Sequence, residues 1–198
     1  MTAREALGWA AARFAAAGQD DRRAATVLLQ AAAQMDGGTL LLALDRPLPE
    51  SALAVFRGWV ERAAAGEPAQ YILGRWDFFG RTFKTDRRAL IPRPETERLV
   101  EEALAAIPAG SPADVIDVGC GTGCIGLTIR LERPNARVAL ADISPGALAL
   151  AGENAAALRA DVAFHCADMR EPLPGGPYDV IVSNPPYISA ADMARLPR

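Results

Sequence analysis

The chain has 198 residues, 51% of them hydrophobic and 23% charged, which is enough apolar surface for a folded core and too much for a disordered tail. Its formal net charge of -3 excludes a surface built mainly to grip nucleic-acid phosphates, because that needs a concentrated positive field. Of its 21 basic residues only Lys84 is a lysine, a compositional bias that carries no mechanism.

Residues 1 to 65 repeat one theme, helix and short break. Thr2 and Glu5 form a capping-box pair ahead of Leu7, Ala10, Ala11 and Phe14, whose spacing puts them on one helical face, and Gly18 is the expected stop. Asp20 or Asp21 caps a second helix carrying Val27, Leu28 and Leu29, which Gly37 and Gly38 are expected to end. Thr39 is then expected to cap a short turn through Leu44. The segment from Pro49 to Ala65, with Leu53, Phe56, Trp59 and Val60 on one side, completes a small bundle. No cluster of catalytic residue types falls in it.

After Gly66 the texture changes. Residues 71–93, YILGRWDFFGRTFKTDRRALIPR, hold five of the twelve aromatics and several β-favouring residues broken by Gly74 and Gly80, so a short hairpin acting as a linker is expected. A helix from Pro94 or Glu95 to Ala106 follows. From residue 114 strand and helix alternate: VIDV, a helix over 122–132, RVALAD, a helix over 145–158, DVAFHCAD and YDVIVS. Such alternation predicts an α/β fold with parallel strands, its ligands held beyond the carboxyl ends of the strands.

The start MTAREALGWA has neither the apolar core nor the small-residue cleavage site of a signal peptide, and no apolar run reaches the roughly 18 residues needed to cross a membrane. A cytoplasmic protein that does not act at a membrane is the expectation. Cys120, Cys124 and Cys166 lack the paired spacing of a zinc site or a disulfide framework, so no metal is expected and the thiols are read as reduced. His165, the only histidine, is assigned to strand packing or solvent.

The loop after the first of these strands, DVGCGTGCIG (117–126), carries glycines at 119, 121 and 123 that let the chain turn sharply and bring a ligand against bare backbone. Read from Gly121 it also satisfies GxGxxG, with Asp142 placed 21 residues on where a dinucleotide's ribose acid is expected. Two features favour S-adenosylmethionine. Asp117, two residues before the first glycine, suits the ammonium of a methionine moiety and sits badly near a pyrophosphate; and GxGxG followed by Asp142 is the glycine-loop pattern of class I methyltransferases. Asp142 would accept hydrogen bonds from the ribose hydroxyls, and Asp168, closing the third strand, would take the adenine amino group. A dinucleotide, or no cofactor, are the alternatives.

The last strand runs into NPPY, Asn184 to Tyr187. Pro185 restricts Asn184 to extended geometry, and the two prolines, Pro185 and Pro186, stiffen the loop and remove two N–H donors. The result is an acceptor-rich pocket suited to a planar NH2 group. The Asn184 side-chain oxygen would accept one N–H, the Pro185 carbonyl the other, and Tyr187 would stack on the plane. An amide or adenine nitrogen is a poor nucleophile, so orientation must supply its reactivity.

A glycine loop followed by NPPY is shared by methyltransferases of DNA adenine and of protein glutamine. The segments GEPAQYILG, FFGRTFKTDRRALIPRPETERLVE, VIDVGCGTGCIGL and IVSNPPYI, with DRPLPE between the N-terminal helices, resemble the bacterial peptide chain release factor N(5)-glutamine methyltransferase family over essentially the whole chain. The resemblance implies a Rossmann-like class I methyltransferase sheet behind a small all-helical domain, using S-adenosylmethionine. Its implied activity is methylation of the side-chain amide of the glutamine in the Gly-Gly-Gln loop of class I release factors, with no direct nucleic-acid partner and a monomeric enzyme. The implied domains are residues 1–70 for substrate docking, 71–93 as linker hairpin and 94–198 for the cofactor. By the family's pattern Gly119, Cys120, Gly121, Thr122, Gly123, Asp142 and Asn184 contact the cofactor, and Asn184 to Tyr187 form the amide pocket. Family members often place an aromatic after the third-strand acid, whereas Met169 follows Asp168 here and would pack on the adenine. The family's sheet also has about three more strands than this sequence offers, so a chain truncated after the fourth strand is expected. Adenine-specific DNA methylation is disfavoured by the acidity and the lack of a basic recognition segment, and a non-catalytic cofactor-binding protein is the third reading.

Overall fold

The computed structural model describes residues 1–185, which form two compact units dividing after Gly74. In the first, α1 (Ala3–Ala16) starts at the expected capping box: the Glu5 N–H donates to Thr2 Oγ1 at 3.2 Å and the Thr2 N–H to Glu5 Oε2 at 2.8 Å. Asp21 caps α2 (Arg22–Ala33) by accepting the Ala24 N–H. This helix stops earlier than expected, at Gln34 in the left-handed region (φ 54°). The glycines at 37 and 38 open the next helix instead of ending this one: Asp36, not Thr39, caps α3 (Gly37–Leu42), taking the Thr39 N–H at 2.7 Å. An aspartate with the Thr39 amide three residues on satisfies an orphan donor that a cap at Thr39 would leave open.

The bundle is completed by α4 (Glu50–Ala64) and by α5 (Ala69–Leu73), a short helix the sequence reading missed. Phe14, Leu28, Leu29, Leu53, Phe56 and Val60 fill its core, and the Trp9 ring meets Phe56 edge-on at 6.2 Å.

The second unit begins with a hairpin of β1 (Arg75–Phe78) and β2 (Arg81–Lys84), paired from Arg75–Lys84 to Phe78–Arg81. It is more than a linker, because Phe78 and Phe83 are fully buried in the core of this unit. A 3-10 turn (Pro94–Thr96) leads into α6 (Glu97–Ala106). Then come β3 (Asp114–Val118), α7 (Cys124–Glu132), β4 (Arg137–Asp142), α8 (Pro145–Leu158), β5 (Ala163–Cys166) and β6 (Val180–Ser183). The last four strands form one parallel sheet in the order β5-β4-β3-β6, the α/β arrangement expected from the alternation. No helix among the described residues is long and apolar enough to cross a membrane.

Period-two alternation sorts each strand between two faces. Val115, Val138 and Leu140 point into the larger core with Leu127, Ile129 and Ala151, while Ile116, Val118, Ala139 and Ala141 face the other way, against Leu173 and Tyr178. The chain moves outward from β3 through β4 to β5 and then returns to lay β6 on the opposite side of β3. The carboxyl ends of β3 and β6 are therefore neighbours where the strand order reverses, the switch point at which doubly wound sheets hold ligands in a crevice.

Candidate functional site

This end of the sheet brings together the glycine loop and Asn184, the first residue of NPPY. In the parallel register Val118 pairs with Ser183, so the glycine loop and Asn184 leave the same end of adjacent strands. Ser183 Oγ ties them further, donating to the Val118 carbonyl at 2.7 Å.

The glycine loop is folded by its own backbone and by Asp142. The N–H groups of Gly119 and Cys120 both donate to the Ala141 carbonyl, at 2.8 and 3.0 Å, and that of Gly123 to the Cys120 carbonyl at 2.8 Å. Asp142 Oδ2 accepts the Gly121 N–H at 3.0 Å and its Oδ1 the Ser144 N–H at 2.9 Å. Gly121 and Gly123 have φ of +56° and +77°, a region costly to any residue with a Cβ. Thr122 is buried within the loop. Burial pushes the Cys120 and Cys124 thiols up, Cys124 to about 12, so both stay neutral fillers. Among the described residues no histidine, cysteine and carboxylate group is clustered as a metal site.

Asp117 departs from the expectation. Alternation turns its side chain under α7, where it is 0% exposed. Its Oδ2 accepts the Gly126 N–H at 2.9 Å, and Oδ1 has no partner among the described residues. Burial, and then the charge of Asp142, push its carboxyl up to about 7. In this conformation the carboxyl group supports the loop from behind through the Gly126 N–H and is closed off from solvent.

Asp168 lies two residues beyond β5, which is shorter than its expected span. Its carboxylate is forked by Arg170, with Nε 3.0 Å from Oδ1, and this pairing holds it down to about 2. Met169 beside it is half exposed. The Ala167 N–H donates to the Asp142 carbonyl at 3.1 Å, which carries this segment past Asp142 along the same sheet end.

Two anchoring residues escaped the sequence reading. Asn154, on α8 and 2% exposed, accepts the Lys84 N–H on Oδ1 at 2.7 Å and donates through Nδ2 to the carbonyls of Lys84 and Thr122, at 3.2 and 2.9 Å. Arg88 forks onto Asp86 and Glu153, so α8 pins residues 84–88 beside the glycine loop, where the Ala89 Cβ stands 3.6 Å from the position a Cβ on Gly121 would take. The other is Thr96, whose Oγ1 accepts from Asn184 Nδ2 at 3.0 Å. Pro185 is half-buried beside Asn184; Pro186 and Tyr187 lie outside the described residues.

The donor set fits S-adenosylmethionine. Asp142 at the end of β4 retains acceptor lone pairs for hydroxyls beyond its two backbone bonds, the buried Asp117 braces the loop from behind through the Gly126 N–H, and a Cβ at Gly119 would meet nothing within 4 Å, leaving its face open to a ligand. A carboxylate at this sheet end, Asp142, favours a sulfonium and opposes a pyrophosphate.

Residues 5–74 match the family described as PrmC N-terminal domain and residues 96–195 the methyltransferase small domain. A release factor glutamine methyltransferase of Geobacter sulfurreducens is 42% identical over 196 residues, covering 98% of this chain and 68% of that protein. One from Cereibacter sphaeroides is 45% identical over 200 residues, covering 99% of this chain and 70% of its own. Among solved structures, the SAM-dependent methyltransferase from Agrobacterium tumefaciens is 26% identical with a TM-score of 0.47, over 59% of this chain and 41% of that one.

Proposed function

The chain belongs to the release factor glutamine methyltransferase family, and on that premise we propose that it methylates the side-chain amide nitrogen of the glutamine in the Gly-Gly-Gln loop of class I peptide chain release factors. S-adenosylmethionine is the methyl donor and supplies, when bound, a methyl group activated on a sulfonium. Gly119 to Gly123 hold it against bare backbone, Asp142 receives its ribose hydroxyls, and Asp168 with Met169 meets the adenine. Asp117 acts through the loop it supports.

Asn184 Oδ1 and the Pro185 carbonyl each accept one N–H of the substrate carboxamide. Fixing both hydrogens turns the nitrogen toward the cofactor side of the crevice and favours its pyramidalisation, which restores a lone pair that resonance otherwise delocalises. No base is needed beforehand: the new N–C bond would form as the methyl–sulfonium bond breaks to leave a neutral thioether, and the N–H, made acidic by that bond, would lose its proton to water. The observation that carries this reading is the pairing of Val118 with Ser183, which supports it by starting the glycine loop and Asn184 from adjacent strand ends. In this reading the protein is a cytoplasmic monomer with no direct nucleic-acid or membrane partner.

The test is incubation with a class I release factor, with DNA, and with methyl-labelled S-adenosylmethionine, followed by mass spectrometry. Label on the Gly-Gly-Gln glutamine supports the reading. Label on adenine would overturn it, and tight cofactor binding with no transfer to either acceptor would leave a binding protein.

A further inference from the structure

Thr96 stands at the start of α6, where a threonine ordinarily turns its hydroxyl back to a backbone N–H of the first helical turn. It does not do so here. Its backbone is already helical (φ -72°, ψ -18°) and it makes no capping bond. The hydroxyl instead accepts the Nδ2–H of Asn184 at 3.0 Å, 88 positions along the chain, and Thr96 is 7% exposed, so water competes little for the bond.

We infer that Thr96 is a positioning residue for amide transfer, its hydroxyl fixing the carboxamide of Asn184 so that the Oδ1 arm faces the acceptor amide. This rests on the reading of Asn184 as an acceptor for the substrate NH2. The oxygen and nitrogen of a carboxamide diverge from one planar carbon, so a bond to the nitrogen arm also sets the direction of the oxygen arm. A carboxamide turned over would put its own NH2 against the substrate's NH2, donor against donor, and lose the interaction that holds the substrate. Setting the plane before the substrate arrives removes that reorganisation from the reaction. It also gives a physical reason for IPRPETE and NPPY to occur in one chain: the threonine of the first orients the asparagine of the second.

The experiment compares Thr96→Val, which keeps the shape and loses the hydroxyl, with Thr96→Ser, which keeps it. In the absence of any substrate, the Asn184 side-chain amide cross-peaks are identified by their disappearance in Asn184→Ala. They are expected to shift in Thr96→Val, with hydrogen exchange about tenfold faster, and to stay in place in Thr96→Ser. With release factor as substrate, kcat is expected to fall about 10- to 100-fold in Thr96→Val, with the cofactor Kd unchanged, and to recover in Thr96→Ser. Unmoved Asn184 signals, equal losses in both variants, or a parallel loss of cofactor affinity would each overturn the inference. The spectroscopic arm needs no turnover, so it decides the bond even if the methyl acceptor is misassigned; label found on adenine overturns the acceptor and not the bond.

Discussion

Asp117 receives the Gly126 N–H on Oδ2 at 2.9 Å while its Oδ1 is sealed in the interior. Burial raises this carboxyl to about 7, against about 3.9 in an unfolded chain. Between those values the folded protein holds a proton that the unfolded chain has released, so stability falls as pH rises. This contribution is fully present below about pH 4 and is gone above about pH 7, a span on the order of 4 kcal/mol. Asp117→Asn keeps an acceptor for Gly126 and removes the titration. Urea unfolding from pH 4.5 to 8 is expected to show a downward slope in the natural protein and a flatter one in the variant; equal slopes would mean that the proton is bound elsewhere.

Asn154 satisfies three backbone groups with one side chain, two on Lys84 and one on Thr122. Asn154→Leu fills the same space and leaves the three unpaired, each at about 1–3 kcal/mol when water cannot reach it. Destabilisation of about 3 kcal/mol or more is expected, together with weaker cofactor binding, because the Thr122 carbonyl belongs to the glycine loop. Denaturant unfolding and calorimetric titration with S-adenosylhomocysteine measure the two effects. A loss of stability with unchanged affinity would confine Asn154 to packing.

Asn184 follows β6 and Gly121 follows β3 at the same end of the sheet, and the proposed roles give the first to the acceptor amide and the second to the cofactor. Asn184→Ala is expected to lower kcat by about a thousandfold and to leave cofactor affinity within about twofold. Gly121→Val is expected to do the reverse. A β-branched residue at φ +56° is strained by about 1–2 kcal/mol, which lowers stability, and its side chain would occupy the bare-backbone face proposed for the cofactor, so a loss of affinity of about tenfold or more is expected. Strong cofactor loss in Asn184→Ala would contradict its assignment to the acceptor substrate.

What was legible in the sequence is what local pattern encodes. Apolar runs and glycines located β3, β4 and the loop between them, Pro145 and the apolar stretch after it marked α8 at its observed bounds, and Thr2 with Glu5 announced α1. Contacts between distant positions leave no such mark. The Thr96–Asn184 bond spans 88 positions and the Asn154–Lys84 bond 70, and neither residue type is unusual where it stands. The burial of Asp117 was hidden for a related reason: a strand end suggests an exposed side chain, but which way residue 117 faces depends on the side of the sheet on which α7 packs. Asp36 outcompeted Thr39 as a cap because two glycines read as a stop when they were the first turn of a helix.

Gly126 offers a test of how tightly that core is closed. It lies within α7 at an ordinary helical φ, so alanine there gains up to about 1 kcal/mol in helix propensity. Packing opposes the gain. A Cβ would stand 2.3 Å from Leu140 Cδ2 and 3.0 Å from Asp117 Cβ, and Leu140 is fully buried, so a close-packed interior leaves its methyl little room to swing aside. Overpacking of this kind costs about 1–3 kcal/mol, so Gly126→Ala is expected to be net destabilising, with a lower urea midpoint and an unchanged m-value. Leu140→Ala is destabilising alone because it opens a cavity, but it removes the obstructing methyl. The double variant is therefore expected to be more stable than the sum of the two changes by about 1 kcal/mol or more, whereas simple additivity would show that the loop and β4 yield without resistance.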